Sequence, residues 1–165
     1  MQAHEIFQHL APELSRDIFS SLRAEEKAGF RDLVGSLAQQ RKLRPAFVLK
    51  KTPQEQYDWL AKTCRLKPMD GFAEQLLQLW LLKARGAMLT SFLDMAGISH
   101  DGKGGIDDLP ETLDGEKLNG AIDKILEEYP ADHVKLYLHV FQLQKPGGWD
   151  ALKAILESDE RLQFS

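Results

Sequence analysis

Residues 71–97, GFAEQLLQLWLLKARGAMLTSFLDMAG, decide the fold. In the first part, Phe72, Leu76, Leu77, Leu79, Trp80, Leu81 and Leu82 leave no wide polar face. A helix that is apolar on every side belongs inside a protein. The densest run, Leu76 to Leu82, contains Gln78 and is bounded by Gln75 and Lys83, well short of the ~18 apolar residues of a membrane span. Arg85-Gly86 interrupts the pattern, and Met88, Leu89, Phe92 and Leu93 resume it. Gly97 then suits a left-handed C-terminal cap with Ile98 folding back. The stretch reads as two consecutive helices or one bent helix.

Working upstream, the spacing stays helical. Leu14, Ile18 and Leu22 follow Pro12, a residue suited to a first turn, and Phe30, Leu33, Val34, Leu37 and Ala38 make a second stripe. Thr52-Pro53-Gln54-Glu55 supplies a capping residue, a proline at the first helical position and a glutamate two residues on, the signature of a capping box. It predicts a helix from 53 to about 66. Tyr57, Leu60, Ala61 and Cys64 form its main stripe, while Trp59 and Leu66 project from the opposite side. Such a helix has two faces to cover.

Downstream, SHDGKGGIDDLPETLD at 99–114 holds three glycines and a proline without periodicity, and reads as a flexible acidic loop. Asp114 caps the next helix, whose stripe is Leu118, Ala121, Ile122, Ile125, Leu126 and Tyr129 before Pro130 ends it. Residues 134–143 fit both periods, since Val134, Leu136, Leu138 and Val140 alternate while Val134, Tyr137, Leu138 and Phe141 repeat helically. Helix is the better reading, because no second strand candidate exists to pair with it. Lys145-Pro146-Gly147-Gly148 makes a turn, and Trp149, Leu152, Ile155 and Leu156 a last short helix. No internal repeat is found.

The expected fold is therefore an all-α, single-domain bundle over 1–165, of about six to eight helices with 72–93 and 134–143 buried at its centre. A chain of 165 residues, 43% hydrophobic and 28% charged, is long enough to build a core without disulfides or a structural metal. The net charge of −4 gives no general attraction to nucleic acid or anionic lipid. It is unevenly spread: residues 1–100 carry 14 basic and 11 acidic side chains, 101–165 carry 7 and 14. The opening MQAHEIFQHLAPEL has neither a basic leader nor a continuous apolar run, and Cys64 has no partner for a disulfide. A cytoplasmic location follows as the expectation.

Several motifs invite chemistry and fail on context. Gly97 to Lys103 satisfies the G-x-x-x-x-G-K pattern of a phosphate loop. Yet position 104 is glycine where a hydroxyl should reach magnesium, and Ile106-Asp107-Asp108-Leu109-Pro110 cannot open the required helix. An EF-hand register with Gly104 at the sixth place puts Ser99, Lys103 and Pro110 at the first, fifth and twelfth, and Gly105 there does no better. A looser cation site from Asp101, Asp107 and Asp108 is the remaining metal reading, set against a solvated acidic loop. Cys64 lies on a core stripe, where a free cysteine acts as a small hydrophobe. His4, His9, His100, His133 and His139 show no ligand spacing. No cofactor is implied.

Two surfaces remain. Between 41 and 67 the basic residues Arg41, Lys42, Arg44, Lys50, Lys51, Lys62, Arg65 and Lys67 face only Glu55 and Asp58, with Phe47, Tyr57 and Trp59 interleaved, as in a nucleic-acid groove with stacking platforms. An Asp58–Lys62 pair at helical spacing is the bland alternative for part of that charge. The second surface is the Trp59 and Leu66 face, of the aromatic-rich kind that interfaces use. The leading expectation is a helical adaptor module that docks a protein partner or a second copy of itself; nucleic-acid binding and cation binding are the alternatives.

Overall fold

The computed structural model describes residues 1–164, and its regular structure is helical: ten α-helices and two 3-10 turns, with no strand among the described residues. That is two more helices than the stripes suggest. The additions are α1 (Ala3–His9) and α4 (Pro45–Leu49), both too short to show a long period. The chain divides into two compact units, one built from Gln2–Trp80 and the other from Leu81 onward.

In the first unit, α1 is followed by α2 (Pro12–Glu25), α3 (Lys27–Gln40), α4, α5 (Pro53–Cys64), a 3-10 turn at Lys67–Met69 and the start of α6 (Asp70–Ala84). Pro12, Pro45 and Pro53 each stand at a first helical position, where the missing N–H costs nothing. Helix α2 packs on α3 and α5, α4 fills the corner between α3 and α5, and α1 lies on α5. The stripes meet as expected, with Ile18, Phe19, Val34, Ala38, Leu60 and Cys64 fully enclosed. Phe7 stacks on Phe19 with centroids 6.1 Å apart, and Phe30 meets Tyr57 edge-on at 6.2 Å. His4, nearly buried, donates its backbone N–H to Asp70 Oδ1 at 2.9 Å and sets its ring Nδ1 2.7 Å from the same oxygen. That double contact ties α1 to the first residue of α6.

The second unit holds α7 (Gly86–Ala96), α8 (Gly115–Glu128), α9 (Ala131–Gln142), α10 (Asp150–Ser158) and a 3-10 turn at Glu160–Leu162. The ambiguous segment is helix α9, and six of its side chains, from Val134 to Phe141, are buried. Around it, Phe92 meets Tyr137 at 5.3 Å and Phe141 at 5.5 Å, and Phe141 stacks on Trp149 at 4.8 Å. The Tyr137 hydroxyl in this cluster has no hydrogen-bond partner among the described residues. Helix α7 ends as its sequence predicts: Gly97 takes φ 73° and Ile98 N–H closes on Leu93 O at 2.9 Å.

Helix α6 departs from the expectation of all-round burial. Leu76, Leu77, Trp80 and Leu81 are buried, but Leu79 and Leu82, three residues apart, stay 44% and 43% exposed. Apolar composition told that this helix has much surface to bury; it could not tell that one strip would stay partly exposed. Among the described residues no helix is long and apolar enough to cross a membrane.

Candidate functional site

The basic stretch of the first unit is shaped by how α3 ends. Lys42 adopts φ 59°, and Leu43 N–H returns to Ala38 O at 2.8 Å, so a lysine occupies the left-handed position usually given to glycine. Arg44 is extended, as the residue before a proline must be, and Pro45 starts α4. Within that five-residue helix Val48 faces the core at 0% exposure, which turns its neighbour Phe47 outward to 58%. Lys51 Nζ sits 4.8 Å from the Phe47 ring centre. Arg41, Lys42, Arg44 and Lys50, its neighbours in sequence, are also exposed.

The turn into α5 is held from two sides. Gln56 Nε2 donates to Leu49 O and Lys51 O, each at 3.2 Å. The capping box forms as read from sequence: Glu55 N–H donates to Thr52 Oγ1 at 3.3 Å and Thr52 N–H donates to Glu55 Oε1 at 3.3 Å, with Thr52 Oγ1–H donating to the same oxygen at 2.8 Å. Those bonds from Thr52 hold the Glu55 carboxyl below its ordinary range, with Lys51 a minor contributor. Glu55 is thus committed to its own helix start.

Beside the turn lies a cleft of about 250 Å³ where α2 ends and α3 begins. Arg23, Lys27, Arg31 and Lys51 line it over Phe30 and Leu49, with Pro53 and Gln56 completing the wall, and no acidic side chain lines it. Sequence reading found Lys51 but not its three companions. They come from α2 and α3, and only the packing of those helices against the α4–α5 corner brings them together.

The other residues singled out from sequence are more scattered. Lys62 is exposed, and Arg65 is half-buried with its Nε donating to Phe7 O at 3.3 Å, a contact that fastens α1. Asp58 pairs with Arg16 at 3.1 Å rather than with Lys62. Of the proposed stacking platforms, Tyr57 is buried, Trp59 half-buried and Phe47 open. Leu66, just past α5, is 38% exposed.

In the 99–114 loop the Asp101 carboxylate turns inward. Its Oδ1 accepts Lys103 N–H at 2.7 Å and Gly105 N–H at 3.0 Å, and these bonds hold the carboxyl below its ordinary range. The loop that resembles a phosphate cradle fills that cradle with its own carboxylate. Gly104, at φ 102°, leaves no room for a Cβ, which would stand 2.8 Å from Leu89 Cβ. Asp107 and Asp108 are exposed, and among the described residues no three His, Cys, Asp or Glu side chains gather where they could hold a metal ion. The far end of the loop is anchored, with Pro110 O accepting Trp149 Nε1–H at 2.8 Å and Lys145 Nζ–H at 3.1 Å. Asp114 caps α8 through Glu116 N–H at 2.9 Å.

His100, beside Ser99 and Asp94, invites comparison with a hydrolytic triad. Its Nδ1 accepts Gly102 N–H at 3.0 Å, which leaves the proton on Nε2, directed at Asp94 Oδ1 2.6 Å away. Both ring nitrogens are engaged, so this imidazole cannot take a proton from Ser99. Cys64 is fully enclosed, and burial pushes its thiol up to about 12, far from a reactive thiolate. The chemistry the described side chains offer most directly is anion binding on the first unit. No family model, curated protein or solved structure matches the chain.

Proposed function

We propose that the chain is a helical interaction module that docks an acidic segment of a partner protein on the corner around Phe47. The observation that carries this reading is the exposure of Phe47 at 58%, more than any other large apolar side chain among the described residues, with Lys51 Nζ 4.8 Å from its ring centre. No Asp or Glu occurs from 33 to 54, while Arg41, Lys42, Arg44, Lys50 and Lys51 all do. An aromatic anchor surrounded by arginine and lysine is the composition of binding hot spots, and burying such a ring contributes about 1.5–3 kcal/mol. The surrounding charge steers an acidic partner and excludes a basic one.

Nucleic acid fits this corner less well. Sequence-tolerant strand binding uses several aromatic platforms in a row, and with Tyr57 buried and Trp59 half-buried only Phe47 is open. A second copy of the chain could supply acidic residues from the part beyond Leu81, where 15 acids face 9 bases. Light scattering reads that version directly.

The test is fluorescence anisotropy with a labelled twelve-residue peptide of aspartates and glutamates around one central leucine. Binding should weaken with salt and fall about tenfold or more in Phe47→Ala. Equal binding by wild type and Phe47→Ala, or capture of a labelled single-stranded oligonucleotide in preference to the peptide, would overturn the reading.

A further inference from the structure

We propose that the cleft walled by Arg23, Lys27, Arg31 and Lys51 is a phosphomonoester-binding site. Four basic residues line one space of about 250 Å³ with no acid among them. Among the described residues none of the four is in an ion pair. Of the acids close by in sequence, Glu26 has its carboxyl beside Gly29 on its own helix and Glu55 is bonded to Thr52, and neither lines the cleft. Like charges gathered without a counter-ion repel one another, and an anion relieves that repulsion.

The anion's class follows from charge, shape and size. A carboxylate brings one negative charge, whereas a phosphomonoester brings close to two and three acceptor oxygens. Two guanidinium groups suit such an oxyanion because each presents a fixed fork of donors, and the two ammonium groups add point charge. The space is below the roughly 300–1,000 Å³ of sites that engulf a whole drug-sized ligand, so it takes a phosphoryl group and the first atoms attached to it. Phe30, 6% exposed and braced edge-on by Tyr57, gives those atoms an apolar floor. The Gln56 bonds to Leu49 O and Lys51 O set the turn that presents Lys51 before any ligand arrives.

The phosphoryl group has two sources, a phosphorylated side chain on a partner segment or a free small phosphate ester. The site uses different residues from the Phe47 corner, Lys51 apart, so either proposal can fail without the other. Phosphorus NMR and thermal melts with inorganic phosphate, glycerol phosphate, and a serine peptide with and without its phosphate would separate the sources, at matched ionic strength with chloride as reference.

Saturable binding with a raised melting temperature is expected from phosphate compounds. Lys27→Gln and Arg31→Gln, both at exposed positions, should each weaken binding about tenfold, and Lys153→Gln, the same charge change at an exposed position outside the cleft, less than twofold. Binding of all three phosphates supports the site with a free ester as its ligand; binding of the phosphopeptide alone, and not its serine form, supports it with a partner segment. No saturable binding, an equal effect of chloride, or equal losses in Lys153→Gln and Arg31→Gln would overturn the proposal.

Discussion

Replacing Trp149 by phenylalanine isolates one hydrogen bond and part of one ring. Trp149 is 2% exposed, stacks on Phe141 at 4.8 Å with the planes 14° apart, and donates Nε1–H to Pro110 O at 2.8 Å. Its backbone has φ 53°, strained for a bulky residue, but phenylalanine inherits the same strain and the term cancels. Phenylalanine is smaller by about 40 Å³, which at ~24 cal/mol per Å³ of residual cavity is roughly 1 kcal/mol. The lost hydrogen bond adds about 0.5–1.5 kcal/mol, toward the lower end here because Lys145 Nζ still donates to Pro110 O at 3.1 Å.

Trp149→Phe should therefore destabilise by about 2 kcal/mol in urea unfolding followed by circular dichroism. Amide exchange across 106–112 should also quicken, by about fivefold for each kcal/mol of anchorage lost. An unchanged urea midpoint together with unchanged exchange would refute the claim that Trp149 anchors the loop. Loss of stability with unchanged exchange would show instead that the ring contributes only packing.

Three further outcomes are expected. Asp70 is partly desolvated, which raises its pKa, but the hydrogen bonds from His4 outweigh this and leave it lowered. A carboxyl lowered on folding stabilises above its unfolded pKa, near 3.9, and loses that contribution as pH falls through the folded value. Thermal melts from pH 7 to 3 should thus show a shallower acid limb for Asp70→Asn, with a cost at pH 7 of about 1 kcal/mol. Tyr137→Phe removes a buried hydroxyl that lacks a partner and should be neutral or stabilising by up to about 1 kcal/mol in the same urea assay; a clear loss would show that the hydroxyl is satisfied. Lys42→Gly relieves a left-handed backbone and should raise stability by about 0.5–1 kcal/mol, whereas lower stability would mean the lysine side chain contributes packing that outweighs the strain.

What the sequence made legible was local. Thr52 with Glu55, Gly97 with Ile98, and Asp114 each act within a few residues of themselves, and each forms as its pattern says. Helix α1 was also within reach, since Ala3, Ile6 and Phe7, all fully enclosed, stand at helical spacing, but one short turn pattern among polar residues is easily passed over. Long-range adjacency was not legible. Nothing in the order of residues places Arg23 and Arg31 beside Lys51, and nothing in the periodicity of α6 distinguishes Leu77, which is fully enclosed, from Leu79, which stays 44% exposed. The direction of Phe47 hung on a single register choice in a five-residue helix.

Lys42 carries a consequence for how this surface could be mapped. A library of the chain sorted only by survival of heating would enrich glycine at that codon, since a left-handed residue without a Cβ is the relaxed choice. A library sorted by retention of an acidic peptide would keep the cation and tolerate the strained turn. Opposite winners at one codon would mark the basic corner as a surface kept for recognition rather than for folding.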